Sequence, residues 1–341
     1  MLLEGMYLPL TTPFYPDGRL NVRKLAQNVA RYSLTPVAGI VVLGASGEAN
    51  LLSDVETREA LKMALEAASE TKVMLAGVSR DGVAATLELI DYAAELGYDA
   101  AVVRAPSFAG VSAKETHGYL LTVADRSALP VVLAGELPVE LVAELAGHPR
   151  VLGLVSDFAR PKEIKLLVEK TAAVKRSVTV TQVFTAVTGR MRVSDTPEGA
   201  LVSAESLTGG VAVLAAVASK PAVKTRTKVV GFQILAAGTE RMLEGLAAGA
   251  VGVVPAFSAS APQACYEVVA AWKDGDPGLA EEKQLRLVEV VRRVEGELGV
   301  AGIKYGCDLN GYFGGTPRLP LLPVTGEQRV EIEALMQGLR S

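Results

Sequence analysis

The sequence predicts an α/β protein built as a (β/α)8 barrel, with a C-terminal helical extension and an insertion between strands 6 and 7. Three observations point there. Short runs rich in Val, Ile and Leu recur eight times, and they are continuous rather than alternating, as in strands buried on both faces of a parallel sheet. Amphipathic helical stretches separate most of them. The 341 residues exceed the length of a plain barrel, about 250 residues, by one insert and one tail. An open, doubly wound sheet is the alternative, but it calls for a Gly-rich phosphate fingerprint after an early strand, and none stands there.

The strands follow in order. Tyr7–Thr11 comes first, then Gly39–Leu43, Val73–Gly77, Ala100–Arg104, Pro130–Ala134, Val151–Val155, Phe232–Ala236 and Val251–Pro255. Between the second and third, Val55–Ser69 has helical periodicity with Ser53 as its N-cap, and between the third and fourth Val83–Leu96 is a helix closed by Gly97. Lys162–Val174 is the helix expected after the sixth strand. The insert occupies about 176–230. In it, Ser177–Phe184 alternates like a half-exposed strand, and Thr188-Gly189 is expected to turn it back into Met191-Arg192-Val193. Lys220, Lys224 and Lys228 stand at helical spacing and read as a solvated face or a subunit contact, with Pro221 allowing only a helix start. The barrel is thus assigned to 1–260 and the extension to 261–341, with helices at Ala261–Lys273, Leu279–Leu298 and Gly326–Leu339.

Composition narrows the function classes. Half of the residues are hydrophobic, which excludes global disorder. A net charge of −4 and a pI near 5.5 argue against a nucleic-acid partner. Cys265 and Cys307 form no disulfide framework, no His/Cys cluster has metal spacing, and neither metal nor cofactor is expected. No apolar run of roughly 18 residues is present and the start lacks a leader pattern, so no membrane partner and a cytoplasmic location are expected.

The local motifs add a resemblance. Thr12-Pro13-Phe14 with Asp17-Gly18-Arg19-Leu20, then Gly44-Ala45-Ser46-Gly47-Glu48 with Leu52-Ser53 and Glu56-Thr57-Arg58, resemble the dihydrodipicolinate synthase / N-acetylneuraminate lyase family. Ala76-Gly77-Val78, Gly97-Tyr98-Asp99-Ala100, Gly153-Leu154, Gly249-Ala250-Val251-Gly252, Pro262, Gly302-Ile303-Lys304 and Arg318-Leu319-Pro320-Leu321 continue the likeness in order, outside the insert. The resemblance implies a TIM barrel with a helical appendix, assembled as a homo-oligomer (dimer or tetramer). It also implies lyase or aldolase chemistry on 2-oxo acids through a lysine Schiff base.

The chain departs from that pattern where the chemistry is done. A Schiff base needs a deprotonated lysine amine to attack the ketone, and a hydroxyl relay to move protons. The lysine position after Gly153-Leu154 is Val155, the relay tyrosine position is Ala134, and the relay threonine or serine position is Ala45. The tyrosine pair after the fourth strand is replaced by Ser107-Phe108.

The remaining candidates for acid binding are Ser46 and Gly47 in the turn, Arg104 at the end of the fourth strand, Phe108 and Ser156. Asp157 and Glu136 are the candidate acid–base groups, against readings as a helix N-cap and a solvated loop charge. Glu48 reads as structural, and His117 and His148 as neither ligands nor bases. Two functions follow: a barrel acting on small 2-oxo acids or sugar acids without a protein imine, or an inactive homologue that binds a small acid or serves as a partner subunit. Fold alone does not choose between them. Whether the space vacated at Ala45, Ala134 and Val155 is open, or filled by the insert, bears on both readings.

Overall fold

Eight parallel strands close on themselves in the order β1-β10-β9-β6-β5-β4-β3-β2 in a computed structural model, which describes residues 1–156, 161–193 and 223–339. They are β1 (Gly5–Pro9), β2 (Gly39–Val42), β3 (Val73–Gly77), β4 (Ala100–Arg104), β5 (Val131–Ala134), β6 (Val151–Ser156), β9 (Gln233–Ala237) and β10 (Gly252–Val254). Around them run α1 (Val22–Ser33), α2 (Asp54–Ala67), α3 (Val83–Leu96), α4 (Ala113–Arg126), α5 (Val139–Ala146), α6 (Pro161–Lys170) and α8 (Met242–Ala247). All eight expected strands are present, the first lying two residues earlier than its apolar run.

The apolar runs are continuous because each strand packs on two sides. Tyr7, Val41, Leu75, Val102, Val132, Val155, Leu235 and Val254 fill the barrel interior. Their neighbours Leu8, Ile40, Met74, Val103, Leu133, Leu154, Ile234 and Val253 join the layer between strands and helices. Each such side chain stabilises the fold by about 1.5–3 kcal/mol through removal from water. The β5–β6 register slips between Val131 and Val132, which pair with Val151 and Gly153. Gly153 is required there, since a Cβ would lie 1.9 Å from the Gln233 carbonyl oxygen.

Helix starts are set by side-chain caps. Ser53 and Glu56 form a reciprocal capping box on α2, as Ser112 and Glu115 do on α4. Predicted helix bounds hold for Val83–Leu96, whereas the helix after β6 ends at Lys170 rather than Val174.

The insert differs from expectation. Its first strand is β7 (Arg176–Thr181), but Thr188-Gly189 does not return it; Gly189–Val193 is a short helix, α7. The antiparallel partner is β8 (Thr225–Val230), pairing Arg176 with Val230 through Thr181 with Thr225. Lys228 therefore sits, paired with Glu4, in a strand that begins directly after Lys224, so these two do not share a helical face. The β-branched run Thr225, Thr227, Val229, Val230 suits a pleated strand better than a helix. Lys220 lies outside the described residues.

The ribbon packs at the end of the barrel where the strands begin. Val178, Val180 and Val230 cluster with Leu2, and the Arg176 guanidinium donates to the carbonyls of Ala146 and His148. Thr188 donates to the Glu70 carbonyl, and the Gly189 amide to Asp99. The described part of the insert thus lies away from the strands' C-terminal ends.

The extension comprises α9 (Pro262–Lys273), α10 (Pro277–Val291), a π-helical segment at Arg292–Glu297, α11 (Gly299–Leu309) and α12 (Gly326–Leu335). The sequence reading passed over α11. Among the described residues, no helix is long and apolar enough to cross a membrane, and no cluster of His, Cys, Asp and Glu could hold a metal ion.

Candidate active site at the barrel mouth

The mouth is built on the turn after β2. Ala45–Gly47 forms one 3-10 turn, flanked by Leu43 and Glu48 in the left-handed region at φ 56° and 52°. Each such residue costs about 1–3 kcal/mol, so surrounding contacts must hold it. They do. Gly47 donates to the Gly44 carbonyl at 3.0 Å and accepts from the Thr12 hydroxyl at 2.6 Å. Glu48 is fully buried, ion-paired with the equally buried Lys304 of α11, and accepts from the Arg318 amide at 2.8 Å.

This pair is the centre of a larger clasp. The Lys304 amine also donates to the Thr316 carbonyl at 3.2 Å and lies 4.5 Å from the Phe14 ring centre. The Arg318 guanidinium covers the same ring at 4.3 Å and forks onto Glu56, with one bond of 2.8 Å. That cation holds the Glu56 carboxyl well below the usual range, at about 2, with Ser53 assisting against partial burial. Burial pushes the Lys304 amine down, and Glu48 opposes that shift. The motifs Thr12-Pro13-Phe14, Gly44–Glu48, Gly302-Ile303-Lys304 and Arg318 therefore meet in space and fasten the extension to the mouth. Glu48 is structural, as its sequence position implied.

Inside the mouth an open cavity of about 660 Å³ lies over the C-terminal ends of the strands. Ala45, Ala134 and Val155 all line it, so the three positions singled out in the sequence converge on one space. They converge because β4, β5 and β6 are in register: Arg104 pairs with Ala134, and Ala134 with Val155. Val41, Val102 and Val254 make up much of the wall. Among the described residues no lysine lines it, and the buried Lys304 is held by Glu48 instead.

Polar groups enter at the rim. Ser46 lines the cavity beside Ala45. Arg104 has its amide fixed by the Ser79 hydroxyl at 2.8 Å, while its guanidinium meets no carboxylate among the described residues. It stands between the apolar cavity and a polar hollow lined by Arg80, Asp81, Ser107 and Glu136. In that hollow Arg80 is paired with Asp54 at 3.1 Å, and Asp81 accepts the Ser107 amide at 2.7 Å. Glu136 is exposed there and does not line the apolar cavity.

Three expected site residues fall elsewhere. The Gly47 amide is occupied by the Gly44 carbonyl, so this turn glycine has no N–H to offer a carboxylate, and it does not line the cavity. Phe108 is 58% exposed and lines neither the cavity nor the hollow, because the loop after β4 carries it outward. Ser156 is buried on the helix side of β6, paired with Ala236 of the outer layer, because Val155 takes the inward position. Asp157 lies outside the described residues. His117 and His148 sit beside Glu144 and Asp125, at 3.5 and 3.1 Å, and neither borders the cavity.

The sequence reading missed three contributors. Arg241, after β9, lines the cavity with Glu240. Glu295, in the π-helical segment, also lines it and accepts from the Thr239 amide at 3.1 Å, the Thr239 hydroxyl and the Phe257 amide at 2.9 Å. Burial raises its carboxyl above the usual range even though those donors act against the shift. One signal was available: Glu295 is an acid one turn after Val291, on a face shared with the apolar Val294 and Leu298. A π-helical turn often marks a functional position.

Comparison with known proteins agrees with the fold. The profile of the dihydrodipicolinate synthetase family matches residues 2–174 and 203–339. A 4-hydroxy-tetrahydrodipicolinate synthase of Methanothrix thermoacetophila is 27% identical over 335 residues, covering 98% of this chain and 96% of the relative. One from Exiguobacterium is 24% identical over 343 residues, with 98% of each chain covered. Among solved structures, a dihydrodipicolinate synthase of Bacillus anthracis superposes with a TM-score of 0.76 at 20% identity, over 98% of this chain and 97% of the other. An N-acetylneuraminate lyase of Mycoplasma synoviae does so at 0.74 and 19%, with the same coverage. At those identities the structural likeness is one of fold. The profile spans nearly everything outside the insert and carries the further conclusion that this chain belongs to the dihydrodipicolinate synthetase family.

Proposed function

We propose that the barrel mouth binds a small carboxylic acid and that the chain performs no aldol chemistry through a lysine imine. The observation that carries this reading is the open cavity in which Val155, Ala134 and Ala45 stand together, with Arg104 at its rim. A valine offers no amine under any protonation state, and alanines relay no protons. Arg104 supplies a planar cation suited to a carboxylate, and Ser46 a hydroxyl donor. The synthase names of the relatives fit the scaffold; the residues facing the cavity favour ligand recognition over an imine step.

Borohydride reduction in the presence of pyruvate tests the chemical half of the proposal. The protein mass is expected to stay unchanged, and a trapped adduct at any lysine would refute it. A thermal-shift series with 2-oxo acids and sugar acids tests the binding half: a specific shift should disappear in Arg104→Ala.

A second reading is turnover in which Glu136 moves the proton. It is favoured by the presence of Glu136 and Arg104 in the same polar hollow, neither engaged in an ion pair among the described residues. A turnover assay that survives Glu136→Gln excludes it. We further propose self-association, on the family likeness; a monomer mass in light scattering would count against it.

A further inference from the structure

We propose that the acid taken up at the mouth has an apolar body, a monocarboxylate bearing a hydrocarbon chain or ring of about six to ten carbons, rather than a three-carbon 2-oxo acid or a polyhydroxylated sugar acid. This rests on the acid-binding reading given above and names the ligand class for it.

Size is the first argument. A three-carbon 2-oxo acid has six non-hydrogen atoms. Even granting each the roughly 30 Å³ of a liquid water, it fills under a third of the 660 Å³ cavity. A ligand gains affinity by covering apolar surface and displacing the water on it, so a small acid leaves most of the available stabilisation unused.

The chemistry of the floor is the second. Where a lysine and hydroxyl groups would give a polar floor, Val155, Ala134 and Ala45 present methyl groups, continuous with Val41, Val102 and Val254. A hydroxyl pressed against that floor loses its water partners without replacement, whereas a methylene in the same place is stabilised by leaving water. This floor therefore favours hydrocarbon over polyol, although Glu240, Arg241 and Glu295 also line the cavity.

Charge placement is the third. Arg104 stands at the edge, between the apolar floor and the polar hollow, and its guanidinium pairs with no acid among the described residues. A carboxylate held there stays near solvent while the body of the molecule points down toward Val155. One polar end and one apolar end is the shape of a fatty or aryl-alkyl acid.

Isothermal titration of the full chain with octanoate, 3-phenylpropionate, pyruvate, gluconate and 1-octanol tests this. Octanoate and 3-phenylpropionate are expected to bind at least tenfold more tightly than pyruvate or gluconate. Arg104→Ala is expected to weaken octanoate about tenfold without moving the melting temperature. Ala134→Phe, which fills the floor, should abolish octanoate binding while leaving the melting temperature within a few degrees. Pyruvate or gluconate binding as tightly as octanoate overturns the apolar class and leaves the acid-binding reading standing. Equal affinity for 1-octanol and octanoate, unchanged by Arg104→Ala, overturns acid recognition while the apolar space remains. Absence of binding by every ligand overturns both.

Discussion

Lys304 and Glu48 form an ion pair with both side chains removed from water, 0% and 1% exposed. Taking either charge out of water alone is expensive, and the pair is tolerated because each ion also has a backbone partner, the Thr316 carbonyl and the Arg318 amide. Removing one member leaves the other charged and buried. Lys304→Met is therefore expected to destabilise the fold by about 3–5 kcal/mol, read as a shift of the denaturant midpoint at neutral pH. Adding Glu48→Gln to Lys304→Met should recover a substantial part of that loss, since the uncompensated charge disappears. A Lys304→Met midpoint equal to the parent's would mean that the clasp contributes nothing. The prediction also separates this lysine from a nucleophile: its amine is oriented by partners that a substrate carbonyl cannot displace without unfastening the extension.

At the scale of elements, the π-helical segment Arg292–Glu297 brings the Glu295 carboxyl onto the loops after β9 and β10. Its pKa is raised, chiefly by burial, so the folded chain retains a proton that the unfolded chain has already released. Over that window the unfolded state binds fewer protons, and stability falls as pH rises from about 4.5, the ordinary value. Glu295→Gln keeps an acceptor for the Thr239 and Phe257 amides and removes the ionisation. The stability of the variant relative to the parent should thus increase with pH across this window, measured by thermal melts at stepped pH. A difference that stays constant with pH would show that folding does not raise the Glu295 carboxyl.

The elements were unequally legible. The eight strands could be read because burial on both faces writes an unbroken apolar run, and Ser53 marked its helix through a local capping box. The β7–β8 ribbon could not, because the partner of Arg176–Thr181 lies beyond a long connection, at Thr225–Val230, while Thr188-Gly189 offered a misleading local turn. Helix α11 was hidden by its glycines, each of which lowers helix propensity by about 1 kcal/mol. Gly302 is there for contact: a Cβ would stand 2.5 Å from the Val294 carbonyl. The side of β6 that Ser156 occupies was hidden by the register slip opposite Val131 and Val132, after which Leu152 and Val155 both face inward. Counting alternate residues fails across such a slip.

For the molecule as a whole, the clasp makes barrel and extension parts of one folding unit. Lys304 and Arg318 reach Glu48, Phe14 and Glu56, Glu295 reaches Thr239 and Phe257, and Asn28 of α1 donates to the Phe313 carbonyl at 2.7 Å. The sole tryptophan, Trp272, lies on α9 and packs against the same continuous core that runs through the strands. Its fluorescence therefore reports the extension, while far-ultraviolet circular dichroism is dominated by the barrel's helices and strands. If the two parts are coupled as these contacts require, the urea transitions followed by the two probes coincide with one midpoint and one slope. A tryptophan transition that precedes the dichroism change would mean that the extension unfolds alone and that the clasp is weak. Glu56→Gln sharpens the test, because it halves the charge-assisted fork to Arg318, a loss of about 1.5–3 kcal/mol. In a coupled molecule it should move both curves by the same amount. The parent's advantage should also shrink as pH falls from about 4.5 toward the value near 2 at which Glu56 takes up its proton.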